Sequence, residues 1–319
     1  MIKLSNYIIS PFLSEIFNSC MTQGCYPDRL KIAQVIPVYK KGPKDECSNY
    51  RPISLLSNMN KLFERILYSR LSVILTNSSY CNQYGFRKDH CTSMAIYDIL
   101  ESKIGDRDKG NITCAVYLDL SKAFDTVDSN LLLKKLEHYG IRGTALGLFR
   151  SYLSNRKQCT NINSILSELI SIELGVPQGS ILGPFLFLVY INDLPNSSLL
   201  LSKLFADDTC LLFSANSVAN LQNIANQEIA KIEKWMTSNK LTLNHTKSKF
   251  MVINKRGGNC NLNVRIKNEL IEKVYSIEYL GITIDSNLSW NEHIKQLESS
   301  LSTASGIISK LRHYVSFDC

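Results

Sequence analysis

Two adjacent acidic residues stand between apolar runs in the stretch LFADDTCLLF, residues 204–213. The carboxylates of Asp207 and Asp208 would repel each other if they were buried with nothing to offset their charge. One interpretation is a tight turn, because an Asp side chain accepts hydrogen bonds from its own backbone there. The other is a site for a hard divalent cation, because Mg²⁺ takes oxygen ligands. For an isolated Asp-Asp pair, the turn is the commoner of the two.

A second apolar run also ends in an acidic residue. The stretch VYLDLSKAFD, residues 116–125, places Asp119 after a β-rich segment, and Asp125 follows. If the two runs are neighbouring strands, three carboxylates meet, and a pair of Mg²⁺ ions roughly 3.5–4 Å apart can clamp the oxygens of a phosphoryl transfer. The metal charge would then offset the repulsion between the carboxylates. Sequence spacing leaves the adjacency of the two strands open.

The elements that must position these acids mix strands and helices. ITCAVYLDL (112–120) is predicted to be a strand, and KLFADDTCLLF (203–213) a strand, a tight turn and a strand. Helical patterns cover residues 62–75, 130–140, 181–194, 218–241 and 291–314. Within residues 181–194, the helix is predicted to begin after Pro184. A hairpin is predicted over 158–179, and short strands at 249–254, 263–268 and 278–285. This mixture, with prominent hairpins, predicts an α+β fold with an antiparallel sheet.

Positive charge is concentrated in two segments of a chain whose net charge is +8. Residues 29–51 hold six Lys and Arg against two acidic residues, and residues 240–273 hold eight against two. Such segments indicate a polyanionic partner, although a solvated surface explains them equally well. No apolar run reaches the ~20 residues that span a bilayer, so no membrane partner is predicted. The N-terminal residues lack a signal-peptide pattern.

The ten cysteines show neither a CxxC pair nor a zinc-type spacing with histidine. Several of them, such as Cys114 and Cys210, lie inside apolar segments. They are therefore predicted to be buried thiols in a reducing compartment.

Seven blocks, in order along nearly the whole chain, resemble the reverse transcriptase domain of non-LTR retrotransposons of the LINE and jockey-like kind. The blocks are KIAQVIPVYKKGPKDECSNYRPISLLS, NQYGFRKDHCTSMAI, VYLDLSKAFDTVD, GVPQGSILGPFLFLVYINDL, LFADDTCLLF, WMTSNKLTLNHTKSKFMVI and YLGITID. The resemblance implies a right-hand polymerase. Its fingers would be residues 1–111, its palm 112–285 with a helix and hairpin insertion at 128–174 towards the fingers, and the start of a thumb 286–319.

The resemblance implies RNA-directed DNA synthesis, in which dNTPs are added to a DNA primer 3′-OH on an RNA template. Two Mg²⁺ ions, or Mn²⁺ in their place, would be the cofactors. Asp119 and Asp207 would be the principal metal ligands, Asp208 a supporting one, and the backbone carbonyl of Leu120 a further one. Lys247 would protonate the departing pyrophosphate, with Lys249 as the alternative.

The same resemblance implies sites for the nucleotide and the nucleic acid. Phe124 would be a steric gate that leaves no room for a ribose 2′-OH; without the resemblance it reads as a core Phe. The residues implied at the nucleotide are Arg51, Lys40 or Lys41, Gln178 and Gly179. Those implied at the template are Gln83, Gly85, Phe86 and Arg87, and those in the primer grip are Tyr279, Leu280 and Gly281.

The match is intact at the carboxylates, and it departs from a full element at the ends. Such an element carries an upstream endonuclease and a longer thumb, and neither is recognisable in the sequence. The alternative is therefore a truncated, catalytically inactive RNA-binding remnant. The family implies an intracellular location, cytoplasmic or nuclear. The oligomeric state, host and target site stay open.

Overall fold

The computed structural model describes residues 6–75, 79–108, 110–253 and 260–311, and within them the chain is α+β. The helices are α1 (Asn6–Gln23), α2 (Asn58–Leu75), α3 (Thr92–Asp108), α4 (Ser129–His138), α5 (Gly143–Leu153), α6 (Leu182–Ile191), α7 (Val218–Ser238) and α8 (Asn291–Leu311). The strands are β1 (Ile32–Tyr39), β2 (Tyr50–Leu55), β3 (Ile112–Leu118), β4 (Arg156–Ile162), β5 (Ile165–Leu166), β6 (Ile170–Ile172), β7 (Leu201–Phe205), β8 (Asp208–Ala215), β9 (Lys249–Ile253), β10 (Arg265–Ile266), β11 (Glu269–Leu270), β12 (Glu272–Lys273), β13 (Ser276–Tyr279) and β14 (Ile282–Asp285).

The central sheet has the strand order β12-β9-β3-β8-β7. Its pairs β9–β3, β3–β8 and β8–β7 are antiparallel, as predicted. The edge pair β12–β9 is parallel and only two residues long. The sheet is therefore mixed at one edge, while the strands that carry the acidic residues are antiparallel to each other.

Strand β3 is buried on both faces, which explains its nearly continuous apolar sequence. Cys114, Val116 and Leu118 face a core formed with α4, α6 and α7. Ala115 and Tyr117 face a second core formed with α3 and the β13–β14 hairpin. Because successive side chains of a strand alternate between faces, the residue after Leu118 continues on the face of the second core.

A second sheet has the order β2-β1-β4-β5, and β6 pairs with β4. β1 and β2 form an antiparallel hairpin, whereas β1 and β4 are parallel. The predicted hairpin after residue 158 is confirmed by the pairing of β4 with β5 and β6. Residues 156–172 thus belong to the sheet of β1 and β2 and not to the central sheet.

The structure corrects two of the predicted elements. Helix α6 begins at Leu182, two residues before Pro184 rather than after it. A proline is tolerated in the first helical turn because the amide that it lacks would have no intrahelical partner there. The stretch at 278–285 is not one strand but the turn and arms of the β13–β14 hairpin, with Leu280 and Gly281 at φ +50° and +81°.

The other predicted helices are present, and the last of them, α8, lies outside both cores. It contacts β14, and none of its described residues is buried. The predicted helix at 291–314 is found as far as Leu311, and residues 312–319 lie outside the described part of the chain. No helix in the described ranges combines the length and hydropathy needed to cross a bilayer.

The prediction of buried cysteines is confirmed for part of the set. Cys114, Cys159, Cys210 and Cys260 are buried, whereas Cys25, Cys47, Cys81 and Cys91 are exposed.

Candidate active site

The adjacent acids lie at the turn of a tight hairpin, as the sequence predicts. Phe205 pairs with Asp208, so Ala206 and Asp207 form a two-residue turn between β7 and β8. Ala206 has a φ of +56°, a left-handed conformation that is uncommon for a residue with a Cβ. A positive φ at this position is what a two-residue hairpin turn requires, although glycine or asparagine is the usual residue there.

Asp119 lies beside this hairpin. The β3–β8 register runs from Ile112 opposite Ala215 to Leu118 opposite Thr209. Continued by one residue, it sets Asp119 opposite Asp208, and paired residues of an antiparallel ladder share one face of the sheet. The question that the sequence left open, whether the two acidic runs are neighbours, is thus answered by the order of the strands.

The backbone of Asp119 is fixed by the loop that precedes β9. The Asn244 amide donates to the Asp119 carbonyl at 2.9 Å, and the Asp119 amide donates to Ser248 Oγ at 3.1 Å. Leu120 lies opposite Leu243 in a short antiparallel bridge. The two hydrogen bonds of this bridge are made by the residues on either side of Leu120, as in a non-hydrogen-bonded antiparallel pair. In this pairing the Leu120 carbonyl accepts no backbone hydrogen bond from the described residues; its role as a metal ligand stays a prediction.

The three carboxylates interact electrostatically. Burial raises the pKa of Asp207, the charge of Asp119 raises it further, and Arg51 and Lys40 oppose the rise. Burial, followed by the charges of Asp207 and Asp119, raises the pKa of Asp208 to about 6. A negative charge shifts a neighbouring carboxyl in this way only at short range. The site thus holds excess negative charge that a cation would neutralise.

No group of three or more His, Cys, Asp and Glu side chains in the described ranges forms a ready-made metal site. The expected cage of three carboxylates around two ions is therefore not preformed. The donor set nevertheless suits Mg²⁺, because carboxylate and carbonyl oxygens are its usual protein ligands and it completes its shell with water and phosphate. The antiparallel pairing of β3 with β8, which brings the ends of the two acidic runs together, is the observation that fits a divalent cation at this place.

Two cations of the β1–β2 hairpin, Arg51 and Lys40, interact electrostatically with the carboxylates. Arg51 on β2 pairs with Val38 on β1, and the Lys40 amide donates to the Asn49 carbonyl at 2.9 Å. The charge of Lys40 lowers the pKa of both turn aspartates, and Arg51 lowers that of Asp207. Between the two lysines that the sequence left open, the structure favours Lys40 over the equally exposed Lys41.

The GVPQG stretch is bonded to the loop that follows Asp119. The Gly175 amide donates to the Val127 carbonyl and the Val176 amide to the Phe124 carbonyl, both at 2.8 Å. Gln178 Nε2 donates to Asp125 Oδ1 at 2.8 Å. The predicted gate and the predicted nucleotide-binding turn are therefore one unit.

Gly179 brings this unit against β2. It has a φ of +119°, and a Cβ placed on it would lie 2.5 Å from the Ser54 carbonyl oxygen. The Ser54 amide also donates to the Gln178 carbonyl at 2.6 Å. Only glycine permits this approach of the two backbones.

Phe124 is half-buried in an aromatic cluster. Its ring stacks on Phe187 of α6 with 4.5 Å between centroids and meets Phe86 edge-on at 6.1 Å. Phe86 is 52% exposed. Phe86, which was predicted to contact the template, and Phe124, which was predicted to be the steric gate, are therefore in direct contact.

The other residues assigned to the template have mostly structural contacts. Gln83 is 3% exposed and lies beneath the β7–β8 hairpin. Arg87 donates through Nη1 to the carbonyls of Tyr80 and Gln83 at 2.9 and 3.1 Å. Gly85 approaches Ala206 so closely that a Cβ would lie 2.3 Å from its amide nitrogen. These placements favour a supporting role over direct template contact for Gln83 and Gly85.

The predicted primer grip lies beneath the carboxylates. Tyr279 is buried, and its ring is 5.1 Å from that of Tyr117 on β3. Burial, followed by Cys210 and the charge of Asp208, raises the pKa of Tyr279 well above its usual value. Leu280 is half-buried and Gly281 exposed at the hairpin turn.

The two candidates for the proton donor differ in their partners. Lys249 Nζ lies 3.1 Å from Glu272 Oε2. Lys247 is exposed in the loop whose Asn244 contacts Asp119, and among the described residues its side chain has no ion pair. The choice of Lys247, with Lys249 as the alternative, stays a prediction.

One buried acid that supports the site was not found by sequence reasoning. Glu64 on α2 is fully buried, and its Oε2 accepts from the Ile181 amide at 2.6 Å, next to the first turn of α6. Its Oε1 accepts from Asn60 Nδ2 at 2.8 Å and Tyr152 Oη at 2.9 Å. A carboxylate suits this place because helix N-termini present unpaired amides and a positive dipole end. Glu64 thus fixes the start of α6 directly after the GVPQGS turn. The one signal in the sequence that could have indicated this role is the position of Glu64 within an apolar helical pattern.

Comparisons with known proteins identify the family and the fold of the chain. Residues 38–284 match the family described as reverse transcriptase (RNA-dependent DNA polymerase). The chain is 29% identical over 304 residues to the RNA-directed DNA polymerase from mobile element jockey of Drosophila melanogaster, and 27% identical over 303 residues to that of Drosophila funebris. Each alignment covers 92% of this chain and 33% of the relative, so the chain spans about a third of the length of these curated relatives.

Among solved structures, the apo telomerase of Candida tropicalis is similar, with a TM-score of 0.55, 11% identity, and coverage of 89% of this chain and 53% of that chain. At this identity the likeness shows the fold alone. The predicted right-hand polymerase fold is thereby confirmed. With the family match over most of its length, the chain belongs to the reverse transcriptase (RNA-dependent DNA polymerase) family.

Proposed function

We propose that this chain is the polymerising module of a non-LTR retrotransposon and adds dNTPs to a DNA primer on an RNA template. The observation that carries the proposal is the antiparallel pairing of β3, which ends one residue before Asp119, with β8, which begins at Asp208 directly after the turn that holds Asp207. Three mutually interacting carboxylates at the ends of neighbouring strands are suited to nucleotidyl transfer.

Asp119 and Asp207 would hold two Mg²⁺ ions, or Mn²⁺, with Asp208 and the Leu120 carbonyl in support. When bound, the ions supply charge neutralisation at the reacting phosphate and an acidified primer hydroxyl. The protein contributes the rigid placement of the carboxylates, because both Asp119 backbone groups are hydrogen-bonded. Positioning and charge stabilisation account for most of the rate in such reactions.

The incoming triphosphate would lie between the β1–β2 hairpin and the Gln178 turn. Arg51 offers planar bidentate contacts to phosphate, and Lys40 offers a mobile point charge. Both lower the pKa of Asp207, which supports a position for them near a ligand bound there. Gln178 and Gly179 would pack against the nucleotide, and Lys247 would return a proton to the leaving pyrophosphate.

Phe124 would discriminate between sugars. Its ring is fixed by stacking on Phe187, and its backbone carbonyl is bonded to Val176. A fixed ring beneath the sugar excludes a 2′-OH by shape.

Template and primer would approach from opposite sides of the carboxylates. A cavity of about 440 Å³ is lined by aromatic and basic side chains that suit stacked bases and phosphates, among them Phe86, Arg87, Lys88 and His90. The turn at Leu280–Gly281 would contact the primer end.

The domain limits are part of the proposal. Residues 1–111 would be fingers, 112–285 palm and 286–319 the start of a thumb. The pairing of β4 with β1 supports an insertion at 128–174 directed towards the fingers. The exposed position of α8 supports a separate thumb.

The test is extension of oligo(dT) on poly(rA) with Mg²⁺. We expect wild-type incorporation, its loss in Asp207→Ala with RNA binding retained, and normal incorporation in Glu137→Ala, an exposed carboxylate on α4. RNA binding by a folded wild-type chain that never incorporates dTMP would instead support the inactive RNA-binding remnant.

A further inference from the structure

The segment Asn82–Phe86 is bonded along its length to the strand that leads into the catalytic turn. The Tyr84 amide donates to the Leu204 carbonyl at 2.8 Å, and the Leu204 amide donates to the Asn82 carbonyl at 2.9 Å. Gln83 forms a parallel bridge with Leu204. This short segment therefore extends the central sheet beyond β7.

Gln83 contacts the catalytic turn itself. Its Oε1 accepts from the Ala206 amide at 3.0 Å and from the Gly85 amide at 2.8 Å. Ala206 is the residue that adopts the left-handed conformation directly before Asp207. Because Gln83 is almost fully buried, water cannot replace this acceptor.

The neighbours of Gln83 hold the segment in place. Tyr84 Oη and Lys203 Nζ both donate to Asp98 on α3, which ties the segment and β7 to the same helix. Gly85 has no space for a Cβ against Ala206. The next residue, Phe86, is exposed and contacts Phe124.

We propose that Gln83 is a positioning residue for the metal-binding carboxylates. It fixes the Ala206–Asp207 turn through the Ala206 amide, so that Phe86 and the carboxylate turn belong to one rigid unit. A template that contacts Phe86 then stabilises the turn that holds Asp207. This inference rests on the proposed polymerase function, because it assigns to Gln83 a part in that reaction.

The variant that tests it is Gln83→Met, which preserves volume and removes both acceptor contacts. We expect a several-fold rise in the Mg²⁺ concentration for half-maximal incorporation and a lower kcat, with KM for dTTP within twofold of wild type. Substitution of a residue that merely stabilises the fold would not change the Mg²⁺ dependence while leaving the KM for dTTP unchanged. Asn82→Ala is the matched control, because it removes the hydrogen bond from Asn82 Nδ2 to Tyr80 Oη in the same segment without touching Ala206, and it should leave the Mg²⁺ dependence unchanged.

A second measurement does not need activity. Hydrogen exchange of the Ala206, Asp207 and Asp208 amides should accelerate at least tenfold in Gln83→Met and stay unchanged in Asn82→Ala. If Gln83→Met does not fold, Gln83→Asn replaces it, since its shorter side chain withdraws the acceptor from Ala206. Wild-type exchange and wild-type Mg²⁺ dependence in a folded Gln83 variant would overturn the inference. An inactive wild-type chain would overturn the proposed function instead, and the exchange measurement would still decide whether Gln83 fixes the turn.

Discussion

The substitution Asp208→Asn should stabilise the folded protein at neutral pH. The pKa of Asp208 is about 6 in the folded state, against 3.8 for an unperturbed Asp. A carboxyl whose folded pKa lies above its unfolded value favours folding through its protonated form and opposes folding once it is ionised. The destabilisation is therefore absent below about pH 4, grows as pH rises towards 6, and is complete above about pH 7.

The size of the effect follows from that difference in pKa. The full difference corresponds to about 3 kcal/mol. Partial exposure of the side chain screens the charge, so we expect about 1–2 kcal/mol in favour of Asp208→Asn at pH 8. For a chain of 319 residues this raises Tm by about 2 °C.

Thermal unfolding without divalent cations, followed from pH 4 to pH 8, measures this difference directly. The Tm advantage of Asp208→Asn should appear between pH 4 and 6 and then remain constant. Glu137→Gln serves as the control and should change Tm at no pH. Mg²⁺ at ten times its dissociation constant should add about 1.4 kcal/mol to the wild type and less to the variant. A variant that is less stable than wild type at pH 8 without metal would refute the electrostatic reasoning.

Three further outcomes follow from the geometry. Phe124→Ala should admit ribonucleotides, raising the ratio of rUTP to dTTP incorporation at least tenfold; an unchanged ratio would remove Phe124 from the role of gate. Lys40→Ala should raise KM for dTTP several-fold more than Lys41→Ala, and equal effects would contradict the placement of Lys40 beside the aspartates. Asp285→Asn should cost about 1–3 kcal/mol in urea unfolding at pH 7, because the Asp285 carboxylate accepts several backbone amides ahead of α8; no loss would show that these bonds are dispensable.

The elements that carry the carboxylates were predictable because their patterns are local. β3 and the β7–β8 hairpin follow from β-rich apolar runs interrupted by Asp119 and by the Asp207–Asp208 pair. Their adjacency was not predictable, because strand order depends on contacts between residues almost a hundred positions apart. Only the resemblance to a family supplied it in advance.

The residues that support the site were the hardest to identify. Glu64 looks like a solvated charge in an amphipathic helix until α6 is seen to present its first amides to it. Gln83 was assigned to the template because of its motif, whereas its burial beneath Ala206 is a tertiary property. The choice between Lys40 and Lys41 likewise depended on which side chain faces the carboxylates, which adjacent sequence positions do not reveal.

Mn²⁺ binding, counted by electron paramagnetic resonance, tests most directly whether Asp119 and Asp207 belong to one metal site. Asp119→Asn and Asp207→Asn should each weaken binding, and the double variant should lose much less than the sum of the two losses, because both residues would hold the same ions. Additive losses, or an Asp119→Asn variant that binds Mn²⁺ as the wild type does, would contradict a shared site.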